Sequence, residues 1–219
     1  MSTPTSTSEA ATDAGAARGH TAATLYEAAV AAAGPGVYAL DSRIRPVWAG
    51  ARVAGPAFTV QGAGGDNLAL QHAILAAPAG SVLVADLGGS PWGHWGEVLA
   101  VAAQVRGLAG LVADGGVRDS VEMGQLGFPV FARHLNVRGT RKLFSGALGA
   151  DITVAGATVR TGDLIVGDAD GVVVVPSDVT TRVLDTADQR VAKEADIIAR
   201  LHAGESSIDI YGLQEAGRA

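Results

Sequence analysis

The chain has 219 residues, 48% hydrophobic and 17% charged, with 16 Lys+Arg against 22 Asp+Glu and no cysteine. That is apolar material for one large domain or two small ones, and too little charge for a disordered protein. A formal net charge of −6 without any basic block argues against nucleic-acid binding by phosphate neutralisation, and the lack of cysteine excludes disulfides, cysteine-ligated zinc, iron–sulfur clusters and thiol nucleophiles.

The first residues, MSTPTSTSEAATDAGAARGH, lack the apolar core of a secretory signal. They read as a disordered tail over 1–20. No apolar run approaches the roughly 20 residues of a membrane span, so the expectation is a soluble, cytoplasmic protein. Thr24–Glu27 fits a capping box, with Leu25, Ala28, Val30 and Ala31 following on one helical face and Gly34-Pro35-Gly36 ending it. Arg52 to Val60 predicts a strand, Gly62–Asn67 a loop and Leu68 to Ala76 a helix. Ser81–Asp86, Gly110–Asp114 and Phe128–Ala132 are short apolar runs of the kind covered on both faces. Between them, Gly96 to Arg106 and Asp119 to Leu126 read as helices.

From Asp151 the texture changes. ITVAGATV, DLIVGD and GVVVVP, separated by Gly/Asp turns, predict hairpins. Ser177 or Asp178 is placed to cap a long final helix with Val179, Val183, Leu184, Ala187 and Val191 on one face, closed by Gly204. Strand–helix alternation followed by hairpins and a long helix predicts an α/β layered fold, a single domain over 21–203, since no linker separates the two textures. The tail over 204–219 carries Ile208, Ile210, Tyr211 and Leu213, which suits docking on a neighbouring subunit.

The densest polar cluster lies between Gly93 and Glu122. Gly96-Glu97-Val98-Leu99 opens a helix whose first amides can receive an anion. Asp114-Gly-Gly-Val-Arg-Asp119 follows a strand at its carboxyl end, where open α/β sheets usually bind ligands. Arg118 can grip a carboxylate through two parallel bonds, and Asp119, with Glu97 and Glu122, offers hard oxygens suited to Mg²⁺ or Mn²⁺. An ordinary reading stands beside this one: an Arg-Asp pair as a helix cap with a surface cation, Glu97 at a helix start on dipole grounds, Glu122 as a capping-box partner. Spacing alone leaves both open.

The stretch WGEVLAVAAQVRGLAGLVADGGVRDSVEM, with ARVAGPAFTV and GDN upstream and FPVFA and GDLIVGDADGVVVVP downstream, resembles the family of the regulator of ribonuclease activity A. That family includes divalent-metal-dependent 4-hydroxy-4-methyl-2-oxoglutarate / 4-carboxy-4-hydroxy-2-oxoadipate aldolases. The resemblance covers roughly residues 22 to 213 and rests on an acid, twenty intervening positions, Arg-Asp and a further acid, here Glu97, Arg118, Asp119 and Glu122. Glu97 stands where the aldolases typically carry Asp. The resemblance implies a layered β/β/α swivelling fold and a homotrimer or homohexamer. It implies that Asp119 ligates the metal, Mg²⁺ or Mn²⁺, that Glu97 holds a metal-bound water, and that Arg118 binds the carboxylate and enolate oxygen of a pyruvate unit. Gly96, Val98 and Leu99 would complete the carboxylate site, Thr140 and Lys142 would line its distal side, and Glu194 would enter from a neighbouring subunit. The implied activity is retro-aldol release of pyruvate from small 2-oxo acids, with oxaloacetate decarboxylation through the same enolate. The family's name implies the alternative, a non-catalytic protein that binds and inhibits an endoribonuclease.

Other features weigh less. Gly62–Asn67 fails the dinucleotide spacing, because Asn67 stands at the third glycine; it reads as a tight turn whose Asp66 and Asn67 can line a pocket. Asp168–Gly171 lacks the later ligands of a calcium loop and suits a hairpin turn. His94 is expected on a partly exposed loop or against substrate, His72 as a structural residue, and Gly88–Trp95 as a mobile lid. Lys142 and Lys193, the two lysines, show no desolvated setting for imine chemistry.

Overall fold

The computed structural model describes residues 12–36 and 38–213. Residues 12–17 form α1, Ala22–Ala33 α2, Arg45–Pro46 β1 and Val53–Gln61 β2. Then come α3 (Leu68–Ala76), β3 (Val82–Trp95), α4 (Glu97–Val105), β4 (Gly110–Val117), α5 (Ser120–Leu126) and β5 (Val130–Leu135). The hairpin-rich half holds β6 (Ala147–Leu148), β7 (Ile152–Val154), β8 (Ala157–Val159), β9 (Leu164–Asp168) and β10 (Gly171–Val175). Helices α6 (Thr180–His202) and α7 (Ser207–Tyr211) follow.

Strands β2, β3, β4 and β5 are parallel neighbours, as connections through α3, α4 and α5 require. Strand β2 belongs to two pairings: Val53–Pro56 lies antiparallel to β9, and Ala57–Gln61 lies parallel to β3. The pleat divides the apolar runs between two cores. Leu83, Ala85, Leu111 and Ala113 face α3, α4 and α5, whereas Val82, Val84 and Val112 face Phe131, Ile152, Val159, Ile165 and Val174. A third core joins Ala14, Ala17, Leu25, Val173, Val183 and Ala187, so α1, α2 and α6 cover the β9–β10 side. Each fully buried aliphatic or aromatic side chain contributes about 1.5–3 kcal/mol. The protein is a single α/β domain in layers, with two sheets packed between helices.

Several local expectations change. Helix α2 begins at Ala22, because Thr21 Oγ1 accepts the Thr24 N–H at 3.1 Å and caps the helix three residues earlier than Thr24 would. Its buried face is Ala22, Leu25, Ala28 and Ala29. Residues 12–20 are folded rather than disordered: Ala14, Ala17 and His20 are buried, and His20 Nε2 lies 3.2 Å from Asp188 Oδ1 on α6. Residues 1–11 lie outside the described residues. Strand β3 continues through Gly88–Trp95 instead of opening into a lid, pairing Ser90, Gly93 and Trp95 with Gly115, Gly116 and Val117 through successive bulges. A Cβ at Gly116 would stand 2.6 Å from the Trp92 carbonyl, so the bulged strand can lie there only over glycine.

Neither Ser177 nor Asp178 caps α6; its N-cap is Val179, and the Ser177 N–H donates to Asp163 Oδ1 at 3.0 Å. Past Ala187 only Ile197 of α6 is buried, and Val191 is exposed. Asp168–Gly171 is the expected hairpin turn; its Asp168 carboxylate also accepts the Ala22 N–H at 2.8 Å, fastening the start of α2. His72 is exposed on α3. Helix α7, capped by Ser206, leaves Ile208, Tyr211 and Leu213 exposed, and 214–219 lie outside the described residues. Among the described residues no helix is long and apolar enough to cross a membrane.

Candidate active site

Strand β4 is buried along its whole length and emerges at Arg118 and Asp119. Asp119 is held at φ 57°, ψ 45°, a left-handed conformation that costs a non-glycine residue about 1–2 kcal/mol and that aspartate tolerates better than most. The turn aims its carboxylate away from its own helix, α5, which has no side-chain cap. Asp119 Oδ2 instead accepts the Glu97 N–H at 3.1 Å, satisfying an open donor of α4. Arg118 Nε lies 3.7 Å from the same oxygen, and both side chains remain partly exposed.

Gly96 makes this convergence possible. A Cβ there would stand 2.2 Å from Asp119 Oδ2 and 3.0 Å from Arg118 Cγ. The ends of β3 and β4 are drawn together by the Trp95–Val117 pairing and by the Arg118 N–H donating to the Trp95 carbonyl at 2.8 Å. Four residues back on β4, buried Asp114 is ion-paired to Arg133 of β5, and Arg133 also reaches Asp41 at 3.4 Å. Hydrogen bonds from Arg43 hold the Asp41 carboxyl far below the usual carboxylate range, and the guanidinium of Arg133 is pushed up by its bond to Asp114.

A cavity of about 680 Å³ opens over this point, lined by Arg118, Asp119, Ser120, Leu135, Asn136 and Val137. The lining combines charged and polar groups with the apolar Leu135 and Val137. Ser120, Leu135, Asn136 and Val137 carry no sequence motif; the cue to the last three is that they end the strand beside β4, on the carboxyl edge of the parallel set. The Asn136 N–H donates to the Val117 carbonyl at 2.9 Å, and Asn136 Oδ1 accepts the Arg138 N–H at 3.0 Å.

Of the residues singled out from sequence, Gly96, Glu97, Arg118 and Asp119 are together, Glu97 through its backbone. Val98 and Leu99 follow in the first turn of α4. The Glu97 and Glu122 side chains are exposed, and among the described residues no three His, Cys, Asp or Glu are grouped to hold a metal ion. Thr140 and Lys142 lie outside the cavity's walls, on the segment after Arg138 that is bonded to the 65–67 turn. Glu194, on α6, is paired with Arg190 at 2.8 Å. Asp66 is buried, receiving the amides of Leu68 at 3.0 Å and Leu143 at 2.7 Å. His94 is fully buried rather than exposed.

The model of the RraA-like family, described as Aldolase/RraA, matches residues 22–174. A Halalkalibacterium halodurans protein named "Putative 4-hydroxy-4-methyl-2-oxoglutarate aldolase" is 40% identical over 169 residues, covering 77% of this chain and 79% of that protein. An uncharacterised Pseudomonas syringae protein superposes with a TM-score of 0.81 at 28% identity, covering 90% of this chain and 91% of its own. Streptomyces coelicolor RraAS2, described as an unusual member of the RNase ES inhibitor RraA protein family, superposes with a TM-score of 0.75 at 27% identity, over 84% of this chain and 96% of its own. With the Arg118–Asp119 turn seated against the start of α4 inside the matched span, the chain belongs to the RraA-like family of aldolases and RraA proteins.

Proposed function

We propose that the protein is a divalent-metal-dependent lyase that releases pyruvate from 4-hydroxy-2-oxo acids of the 4-hydroxy-4-methyl-2-oxoglutarate type, and from oxaloacetate by decarboxylation. The observation that carries the reading is the meeting of Arg118, a left-handed Asp119 and the start of α4 at one cavity, made possible by Gly96. Asp119 accepts one amide through Oδ2 and presents hard oxygen to the cavity. That donor set fits a hydrated Mg²⁺ or Mn²⁺, which needs only one or two carboxylates beside water and substrate. Asp119 would hold the ion and Glu97 would reach it through water; when bound, it supplies Lewis-acid polarisation of the 2-oxo group.

The chain's own groups account for the rest. The Arg118 guanidinium takes the substrate carboxylate, helped by the Val98 and Leu99 amides at the start of α4. The 4-hydroxyl loses its proton to water beside the exposed Glu97 carboxylate, the C3–C4 bond breaks, and its electron pair passes into the enolate of pyruvate. Arg118 faces the oxygen on which that charge develops. Water then protonates C3, and pyruvate leaves with the carbonyl product. With oxaloacetate the leaving fragment is carbon dioxide.

Exposed Val98, Val101 and Val105 form one stripe of α4, with Val121 on α5; an apolar stripe on an outer helix face suits burial against another copy. A homotrimer or homohexamer, with Glu194 of a neighbouring subunit near the site, belongs to this reading. The likeness to RraAS2 supports a second one, binding and inhibition of an endoribonuclease without catalysis. Pyruvate release from both substrates, with Mg²⁺ and with a chelator, separates them. Metal-dependent turnover is expected; rates unchanged by chelation overturn the metal role, and tight capture of a ribonuclease without turnover selects the regulator.

A further inference from the structure

The His94 imidazole is fully buried between three segments. Its Nε2 accepts the Gly65 N–H at 2.9 Å, which fixes Nδ1 as the protonated nitrogen and makes it the donor to the Gly116 carbonyl at 3.1 Å. The His94 carbonyl in turn accepts from Asn67 Nδ2 at 2.9 Å. One end of the ring is therefore tied to β4 two residues before Arg118, and the other to the 62–67 turn.

That turn carries a second load. The Gly65 carbonyl accepts the Arg141 N–H at 2.9 Å, the Asn67 N–H donates to the Arg141 carbonyl at 3.0 Å, and the Asp66 carboxylate accepts the Leu143 N–H at 2.7 Å. The segment bearing Thr140 and Lys142 is thus clamped to the turn, and just before it the Arg138 carbonyl accepts the Gly93 N–H of β3 at 2.9 Å. Trp92 fills the remaining gap, its ring against Gly65 and beneath the Arg138 guanidinium at 5.2 Å.

We propose that His94 is a positioning residue, a rigid strut that fixes the spacing between the Arg118–Asp119 side of the pocket and the Thr140–Lys142 segment, and so sets the fit of the substrate's distal end. This rests on the proposed lyase function and on the expectation that Thr140 and Lys142 serve the distal end of a 2-oxo acid, although neither lines the cavity wall. His94→Leu removes both ring bonds, whereas His94→Gln keeps an oxygen that can accept the Gly65 N–H.

The test combines amide hydrogen exchange with kinetics on the full chain. In His94→Leu, exchange at Gly65 and Arg141 rises about tenfold or more, as expected for loss of a buried hydrogen bond, while β4 is unchanged; His94→Gln restores protection. The KM for 4-hydroxy-4-methyl-2-oxoglutarate rises about tenfold in His94→Leu, while inhibition by oxalate, a mimic of the pyruvate enolate, moves by less than about threefold. Unchanged exchange at Gly65 and Arg141, or equal losses for substrate and oxalate, overturns the proposal. Should the wild type turn over neither substrate while exchange responds as stated, the strut stands and the lyase reading falls. If His94→Leu does not fold, His94→Gln must match wild-type exchange and KM within about threefold, and failure to do so overturns the strut.

Discussion

Gly96→Ala is the sharpest perturbation of the site. The backbone at Gly96 is extended, with φ −158° and ψ −168°, so alanine meets no conformational penalty there and any effect comes from the added methyl. That methyl would stand 2.2 Å from Asp119 Oδ2, 3.1 Å from Asp119 Cγ and 3.0 Å from Arg118 Cγ, so the carboxylate must retreat by about 1 Å to reach ordinary contact. Retreat stretches the Glu97 N–H···Asp119 bond, a charge-assisted contact of about 1.5–3 kcal/mol whose loss solvent partly offsets at this half-exposed site. Crowding of this kind costs about 1–3 kcal/mol overall, a fall in Tm of about 2–12 °C for a chain of this size. If the proposed lyase site is right, displacing the Asp119 carboxylate by about 1 Å should lower kcat/KM for pyruvate release by about a hundredfold. A coupled pyruvate assay and a thermal melt read both effects. Wild-type turnover together with a wild-type Tm would refute the idea that this contact organises the site.

Under the proposed mechanism, Arg118→Ala should lower kcat by about a hundredfold or more by removing a positive charge that would stabilise the enolate oxygen, and Arg118→Lys should recover only part of it, since an ammonium cannot make two parallel bonds; steady-state kinetics with oxaloacetate decide. Gly15→Ala, at an exposed helical position with nothing within 4 Å of the new methyl, should leave turnover alone and stabilise the fold by about 0.5–1 kcal/mol, whereas no stabilisation in a melt would count against an ordered α1. Burial holds the His94 pKa below its ordinary 6.5, so the unfolded chain takes the proton first. The stabilisation from neutral His94 is complete above about pH 6.5 and declines as pH falls from there to the folded-state value. Acidification should therefore lower the Tm of wild type relative to that of His94→Gln, and a difference independent of pH would contradict this.

The parallel half of the fold is legible because its strands are continuous apolar runs, and α3 spans the expected Leu68–Ala76. The second half of β3 is not. Gly88, Gly89, Pro91 and Gly93 are poor strand formers, and their pairing depends on the space left by Gly115 and Gly116 on another strand. Residues 12–20 escape notice because their buried groups are mostly the small methyls of Ala14 and Ala17, too weak a signal against a polar, Ser/Thr-rich context. Arg118 and Asp119 stand out through spacing and resemblance, but Asp119 reads locally as the cap of its own helix. Its service to α4 depends on a contact across 22 positions. His94 looks like a loop residue until the turn and the strand on either side of it are placed.

The double membership of β2 has a consequence for how the molecule comes apart. Val53–Pro56 completes the ladder with β9 while Ala57–Gln61 completes the one with β3, and no hinge intervenes. Melting either ladder strips partners from the other, so denaturation should proceed as one cooperative event with no half-folded form persisting. A cut or insertion in this strand would forfeit both halves at once.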